Sequence, residues 1–336
     1  MNKITKLGVS ALCGTLAATA ANAGSLSVSG GADVSWVSLD YGVVGNPIGI
    51  GSNMTFSGSG ELDNGSTVTL NITHTNQAAY SATDIQWELP GVGKISFDQG
   101  AGGTGLDLLD DKMPTAWEET TGTAVGTGMN TVSGVGGSTN VAYSVDSGML
   151  PDGMSVDLAW SPKADGKKSN DKSVGGDAGG NKSGGFDVVV QHSGLYDGLN
   201  VFAGYSSIDQ EDLGAATGNH TGTAIGATYA MGSVTVGYQQ TVNSTNLRTS
   251  TDHYVNDAYG ISFSVNDDLS ISYGHHESER HMAGSNATLE ASSIQMAYSM
   301  GGASLKIAQT SVDHANYDST TATDREGYTV ALSLAF

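Results

Sequence analysis

The sequence closes with Tyr328-Thr-Val-Ala-Leu-Ser-Leu-Ala-Phe336, and this stretch points to the fold class. Large apolar side chains occupy every second position from Tyr328 to Phe336, and the positions between them are small or polar. Successive side chains of a β-strand point to opposite faces, so the stretch predicts a strand with one apolar and one small, polar face. An aromatic residue at the end of such a strand is typical of a β-barrel whose apolar face looks outward into lipid.

The same alternation recurs upstream and predicts about sixteen strands in all. Asp63-Asn64-Gly65, between two of these segments, is a strong hairpin signal because Asn and Gly tolerate positive φ. The segments are 26–36, 54–62, 67–73, 85–89, 95–97, 141–145, 154–160, 186–190, 199–205, 225–229, 234–238, 259–265, 269–273, 294–300, 303–307 and 328–336. On their apolar parity, the side chains expected to face lipid include Val28, Phe56, Leu70, Val156, Ile261 and Leu332.

The connections between these segments alternate between short and long. The short ones fall near 63–65, 90–93, 146–153, 193–198, 231–232, 266–268 and 301–302. The long ones fall near 38–52, 74–82, 100–138, 162–184, 206–220, 241–254, 275–288 and 312–325. A soluble β-sandwich has no reason to place every long loop at one end. We therefore predict an all-β fold, a transmembrane antiparallel β-barrel with short periplasmic turns and long external loops.

The N-terminus has the pattern of a secretory signal peptide. Lys3 and Lys6 precede a short apolar run, and Ala21-Asn22-Ala23 fits the cleavage site. The run is shorter than the roughly 20 residues that a membrane-spanning helix needs. We therefore expect a signal peptide over residues 1–23 and a barrel domain over residues 24–336, exported to the outer membrane of a Gram-negative bacterium.

The charge of the chain restricts its partners. Without Lys3 and Lys6, 11 basic side chains stand against 34 acidic ones, a net charge of −23. Nucleic acid is an improbable partner, because phosphates need a basic surface. An acidic cavity instead attracts cations.

These features together resemble the bacterial general-diffusion porins, of the kind found in alphaproteobacteria. The resemblance rests on the signal peptide, the alternating strands, the long loop after Lys94-Ile95-Ser96-Phe97 and the terminal Phe336. It implies a homotrimer of water-filled barrels through which small hydrophilic solutes diffuse, with the third loop folded inward to narrow the pore. It also implies that the barrel-assembly machinery reads the last strand, from Tyr328 to Phe336, and that lipids and lipopolysaccharide surround the barrel.

The third loop carries the candidate site. If it folds inward, its carboxylates line the constriction and favour cations; the alternative is an acidic external loop in solvent. The constriction candidates are Asp107, Asp110, Asp111, Glu118 and Glu119, and a Ca²⁺ ion among them would match the oxygen ligands that calcium prefers. On the lumen parity of the strands lie Asp33, Glu61, Asp84, Glu88, Lys94, Asp98, Asp157, Asp187 and Lys306. The arginine cluster that faces the acidic loop in familiar porins has no counterpart in the early strands here.

Two further motifs are assigned to external loops. His275-His-Glu-Ser-Glu-Arg-His281 contains metal-ligand side chains, but a solvated loop is the plainer interpretation. Contact with lipopolysaccharide phosphates is one interpretation of a lysine group in another loop, made up of Lys163, Lys167, Lys168, Lys172 and Lys182. No arrangement of Ser, His and Asp indicates an enzyme. The leading function is passive, cation-preferring diffusion; the alternatives are a solute-selective channel and a surface adhesin or structural barrel.

Overall fold

The computed structural model describes residues 23–41, 45–76, 81–132, 134–166, 182–210, 218–246, 251–282 and 285–335. Within these ranges sixteen antiparallel strands form a closed barrel, in which each strand pairs with its chain neighbours and the first pairs with the last. The predicted all-β barrel is thereby confirmed. None of the described helices is long and apolar enough to cross a membrane. The predicted signal peptide lies outside the described residues except for Ala23, and so do Phe336 and three lysines of the external loop, Lys167, Lys168 and Lys172.

Each strand overlaps its predicted alternating segment, and several strands extend well beyond it toward the long loops. The first eight strands are β1 (Ala23–Leu39), β2 (Ile48–Glu61), β3 (Thr67–Thr75), β4 (Ala82–Leu89), β5 (Gly93–Gln99), β6 (Asn140–Val145), β7 (Met154–Ser161) and β8 (Lys182–His192). The others are β9 (Leu199–Gln210), β10 (His220–Met231), β11 (Val234–Ser244), β12 (Thr251–Ser264), β13 (Leu269–Met282), β14 (Ser285–Met300), β15 (Ala303–Asp313) and β16 (Arg325–Ala335). Four short 3₁₀ helices lie in the described connections: Gly105–Leu109, Ser147–Met149, Ala315–Tyr317 and Thr321–Thr323.

The outer face of the barrel is apolar. Leu26 is 79% exposed and Ile50 is 78% exposed, which a water-facing surface would not tolerate over so large an area. The side chains predicted to face lipid all lie on this face, with Val156 half-buried and the other five exposed. Aromatic residues border the apolar band on the outer face. At one edge they include Trp160, Phe186, Tyr205, Tyr238, Tyr259 and Tyr328, and at the other Tyr143, Tyr229 and Tyr298.

The last strand closes the barrel by pairing with β1 and β15, with its apolar side chains beside apolar side chains of both neighbours. Leu332 of β16 lies opposite Val34 of β1 on one side and Leu305 of β15 on the other. Tyr328 lies opposite Ser38 and Gln309, nearer the loop end of the strand. A shift of one residue would turn every apolar side chain of β16 toward the lumen, so the alternation fixes this register.

One predicted long loop is wrong. The sequence pattern placed a loop over 275–288, but β13 continues to Met282 and β14 begins at Ser285. Beyond Tyr273 the outward positions of β13 are polar as well as the inward ones, so the strand continues without the apolar alternation by which strands are predicted. The motif from His275 to His281 consequently lies on a strand and not in an external loop.

Candidate functional site

The third loop, residues 100–139 and called loop 3 below, folds inside the barrel and packs on its inner wall. Leu106, Leu109 and Met113 of the loop are buried against Val189 and Phe202 of the wall. Small residues of the neighbouring strands, Ala224 and Ala258, complete this cluster. Burial of loop side chains against wall side chains gives the loop a fixed position in the lumen, because it removes apolar surface from water. The predicted inward fold of the loop is therefore confirmed.

Asp187 of β8 holds both limbs of loop 3. Its Oδ2 accepts hydrogen bonds from the backbone N–H of Leu106, at 2.7 Å, and of Val135, at 2.9 Å. The loop can approach this closely because Gly105 and Gly134 adopt positive φ and a Cβ on either would lie within 2.3 Å of the carboxylate. Asp187 is only 1% exposed, so it anchors the loop and does not face the pore water.

The middle of loop 3 is bound to β13 and β14. Gln295 accepts from the backbone N–H of Glu118 at 2.9 Å and donates to the carbonyl of the same residue at 2.6 Å. Ser272 Oγ accepts from the N–H of Ala116 at 2.8 Å. These bonds satisfy backbone groups that would otherwise be buried without partners. These hydrogen bonds hold residues 115–118 against the wall.

The far end of loop 3 reaches β14 to β16 and then returns. Val125 is buried in a second apolar cluster with Leu289, Val312 and Tyr317. On the returning limb the N–H of Asn130 donates to the hydroxyl of Tyr317 at 2.8 Å. The described contacts of the loop thus run along the wall from β6 to β16 and reach Tyr41 just after β1. This leaves the open part of the lumen between loop 3 and the wall formed by the first strands.

That opposite wall is polar and hydrogen-bonded within itself. Ser57 donates to Asn71 at 2.7 Å, and Asn71 donates to Asp84 at 3.1 Å. Gln86 also donates to Asp84, at 2.8 Å. With Asp33 half-buried on β1, this wall presents carboxylates to the lumen across from loop 3.

The carboxylates of loop 3 differ in their exposure. Asp110 and Asp111 are exposed, Asp107 and Glu118 are half-buried, and Glu119 is only 7% exposed. Partial desolvation by the surrounding protein raises the pKa of Asp110, which still contacts solvent, and that of the half-buried Glu118, and repulsion from Asp111 raises both further. Burial raises the pKa of Glu119 to about 7, against a lowering hydrogen bond from the N–H of Met113, while its acidic neighbours add to the rise.

Three predicted lumen or constriction residues do not face the pore water. Glu119 and Asp187 are covered by loop 3, and Asp98 is 2% exposed. Asp98 accepts from the N–H of Ala101 at 2.7 Å and from the side chain of Asn140 at 3.2 Å, so it fixes the base of the loop. The expectation that these three carboxylates meet the permeating solute is wrong. Chain alternation identifies the inner face of a strand but not which inner residues a loop will cover.

The remaining predicted lumen residues stay accessible. Asp33, Asp84, Lys94, Asp157 and Lys306 are half-buried on inward positions of their strands. Glu61 and Glu88 are exposed near the short-turn end, where Glu88 lies opposite Lys94.

Two further loop residues lie at the site, Lys112 and Trp117. The Lys306 ammonium lies 5.8 Å from the Trp117 ring centroid. Burial lowers the pKa of Lys112, and attraction to the Asp157 carboxylate opposes this lowering. These two lysines place some positive charge beside the acidic loop.

The histidine motif brings one side chain to the site. His276 points inward from β13, is 6% exposed, and its Nε2 lies 3.9 Å from Glu119 Oε2. His275 points outward and lies 6.3 Å, between ring centroids, from Tyr259. The prediction of a solvated external loop is therefore wrong for this motif, because β13 extends past it.

The family model described as Gram-negative porin matches residues 8–320. Among solved structures, OmpF of Salmonella typhi, in complex with daunomycin, is 15% identical with a TM-score of 0.70, over 93% of this chain and 97% of OmpF. An anion-selective porin from Comamonas acidovorans is 11% identical with a TM-score of 0.66, over 93% of this chain and 99% of that porin. A mutant of the Rh. blastica porin is 16% identical with a TM-score of 0.61, over 93% of this chain and all of that porin, with 100% covered. No curated protein sequence gives a significant match.

Proposed function

This chain belongs to the Gram-negative porin family, and on that premise we propose that it is a passive channel whose lumen prefers cations. Family and fold together support an outer-membrane diffusion channel for small hydrophilic solutes and point away from an enzyme. A closed barrel of this size encloses an aqueous lumen. Diffusion through it needs no cofactor, and the shape and charge of the lumen determine which solutes pass.

The observation that carries the cation preference is the exposed acidic segment of loop 3. Asp110 and Asp111 are exposed in a lumen whose opposite wall adds Asp33 and Asp84. Charges in a narrow aqueous gap with low-dielectric walls raise the local concentration of counter-ions and exclude co-ions. Since a solved porin of similar fold is described as anion-selective, the fold leaves the sign of the preference open and the charges of this chain must set it.

The basic residues near the constriction are fewer. Lys94, Lys112, Lys182 and Lys306 lie on the lumen side among the described residues. The two described arginines lie near the far end of loop 3: Arg280 over the ring of Tyr317, and Arg325 over that of Tyr41, where it also donates to the carbonyl of Gly126. A more uniformly negative constriction follows, without a strong field across it.

Planar-bilayer recording tests the channel itself. Purified protein should add stable conductance steps whose current rises linearly with voltage at low potentials. If the protein is a trimer, each inserted unit should close in three equal steps. A surface adhesin or structural barrel with a blocked lumen would insert without conductance steps, and that result would contradict the proposal.

Assembly gives a second test. The homotrimer and the recognition of the last strand by the barrel-assembly machinery are proposals supported by family membership and by the pairing of β16 with β1. Native mass spectrometry in mild detergent should find trimers of the wild type. Cells that express a chain lacking Phe336 should yield much less assembled barrel, because the terminal aromatic is the proposed signal. Detection of wild-type monomers alone would exclude the trimer, and a normal yield of the truncated chain would exclude the signal.

Two binding partners are proposed for the chain, lipopolysaccharide and calcium. Lipopolysaccharide contact is proposed for the lysine-rich connection between β7 and β8, where Lys163 is the described lysine; Lys182 of the same predicted group is the first residue of β8. Calcium at the acidic constriction is proposed from the exposed carboxylates of Asp110 and Asp111. Calorimetric titration with lipopolysaccharide and with CaCl₂ tests them, and no heat of binding would contradict the respective proposal.

A further inference from the structure

A small cavity lies between loop 3 and the barrel wall. Its volume is about 30 Å³, enough for a single ion or water molecule. Polar side chains from four elements line it, including Asp110 and Glu119 from loop 3, Gln239 and Thr241 from β11, Asn256 from β12 and His276 from β13. Apolar groups such as Leu109 complete the lining and limit the access of solvent.

His276 turns an unpartnered nitrogen toward this cavity. Its Nε2 is buried and has no hydrogen-bond partner among the described residues. The nearest acidic atom is Glu119 Oε2, at 3.9 Å, which is too long for a hydrogen bond. A buried imidazole nitrogen without a partner costs free energy unless something fills its coordination or hydrogen-bonding position.

Two other side chains are oriented by their own hydrogen bonds. Asn256 uses its Nδ2 to donate to the Asn130 carbonyl at 3.0 Å and to Thr241 Oγ1 at 2.9 Å, and its buried Oδ1 has no partner in the described structure. Glu119 Oε1 accepts from the N–H of Met113 at 3.0 Å, which leaves Oε2 on the side of His276. Bonds of this kind hold ligand side chains in place around metal ions.

The charge around the cavity is mostly negative. Carboxylate oxygens of Asp110, Asp111 and Glu119 lie within 4.8 Å of one another. Within the described ranges, no lysine or arginine forms an ion pair with any of these three. Carboxylates brought this close repel each other unless a proton or a cation neutralises them.

We propose that this cavity binds a divalent transition-metal ion, with Glu119, Asp110 and His276 as ligands and the Asn256 amide oxygen beside them. Imidazole nitrogen together with carboxylate oxygen suits Zn²⁺, whereas Ca²⁺ and Mg²⁺ prefer oxygen alone. This site shares Asp110 with the proposed calcium site and differs from it in requiring the buried histidine. It does not depend on the channel function.

Binding such an ion requires the Asp110 side chain to move, because the ligand atoms within 4.8 Å of one another are those of Asp110, Asp111 and Glu119, and His276 is not among them. Zn²⁺ binds nitrogen and oxygen at about 2.0–2.2 Å, so tetrahedral ligand atoms stand roughly 3.3–3.5 Å apart. Glu119 Oε2 and His276 Nε2 are 3.9 Å apart, so a movement of about half an ångström by either side chain brings them into range. The bound ion would join loop 3 to β13 and β12 at a point where no other charged contact joins them within the described ranges.

Calorimetric titration of the chelator-treated protein in detergent tests the proposal. Zn²⁺ should bind at one ion per subunit and more tightly than Ca²⁺ or Mg²⁺. His276→Ala should weaken Zn²⁺ binding by at least about 100-fold, since loss of outer-shell partners alone weakens metal sites by about 10–100-fold. His275→Ala is the matched control, because it removes the neighbouring imidazole from the outer face of the same strand, and it should bind Zn²⁺ as the wild type does.

Anomalous diffraction from wild-type crystals soaked in ZnCl₂ keeps the proposal testable if the His276 variant fails to fold. A peak at the zinc edge between Glu119 and His276 supports the site. A water molecule there without a zinc peak would overturn it. Unchanged Zn²⁺ binding by His276→Ala, or binding of Ca²⁺ as tight as that of Zn²⁺, would overturn it as well, because the histidine would then not be a ligand.

Discussion

Channels that carry Asp187→Ala are expected to conduct several times more current than the wild type and to fluctuate between levels. The substitution removes the acceptor for the N–H groups of Leu106 and Val135, one on each limb of loop 3. A hydrogen bond to a buried charged group contributes about 1.5–3 kcal/mol, and the two N–H groups would be left buried without partners. The loop should then leave the wall for part of the time and widen the pore. Single-channel recording at fixed salt measures the effect.

Asp157→Ala is the control for this prediction. It removes one carboxylate from the lumen side of the neighbouring strand but none of the hydrogen bonds that hold loop 3, so its conductance should stay near that of the wild type. Gly134→Val should raise the conductance as Asp187→Ala does. A Cβ at this position would lie 2.1 Å from the Asp187 carboxylate, at a backbone φ of +58°. Wild-type conductance in both Asp187→Ala and Gly134→Val would show that these contacts do not position the loop.

Replacing the four more accessible carboxylates of loop 3 by amides should remove most of the cation preference without closing the channel. The residues are Asp107, Asp110, Asp111 and Glu118. A unit charge at roughly 10 Å in water contributes about 0.4 kcal/mol, which screening at 0.1 M salt reduces to about 0.15 kcal/mol. Four such charges stabilise a cation by about 0.6 kcal/mol and destabilise an anion by about as much, and this difference of about 1.2 kcal/mol favours the cation by about eightfold. The reversal potential in a KCl gradient, measured with a chelator present, should therefore fall toward zero.

The matched control neutralises four exposed carboxylates on outward positions of the strands, outside the lumen. These are Asp209, Glu277, Glu290 and Asp313. The change in net charge is the same, so an effect of overall charge would appear in both variants. Equal shifts of the reversal potential in the two variants would exclude loop 3 as the source of the preference.

The sequence was sufficient for the barrel because each strand that contacts lipid alternates apolar and polar side chains. Leu332, Val34 and Leu305 come to lie in one outer row for this reason. The same signal fails at His275–His281, where β13 has passed beyond the apolar band and both faces are polar. Alternation in a membrane strand reports contact with lipid, and it says nothing of a strand that continues into water.

The site was predictable in composition but not in its contacts. The acidic residues of loop 3 are visible in the sequence, yet their exposure depends on partners far along the chain. Leu106 and Asp187 are 81 positions apart, and Glu118 and Gln295 are 177 positions apart. No local pattern marks Asp187 and Glu119 as buried, because both follow the same parity and composition rules as accessible carboxylates. Only the path of the loop across the wall separates the carboxylates that hold it from those that face the pore.

The zero-current potential of the wild type between 0.1 M and 0.01 M KCl measures the cation preference of the constriction itself. A perfectly cation-selective channel would reach about 59 mV for a tenfold gradient. The charges of loop 3 predict roughly 40 mV with the dilute side positive, decreasing when both solutions are raised toward 1 M, where the screening length is about 3 Å. A potential of the opposite sign, with the dilute side negative, would contradict the proposal that this constriction prefers cations.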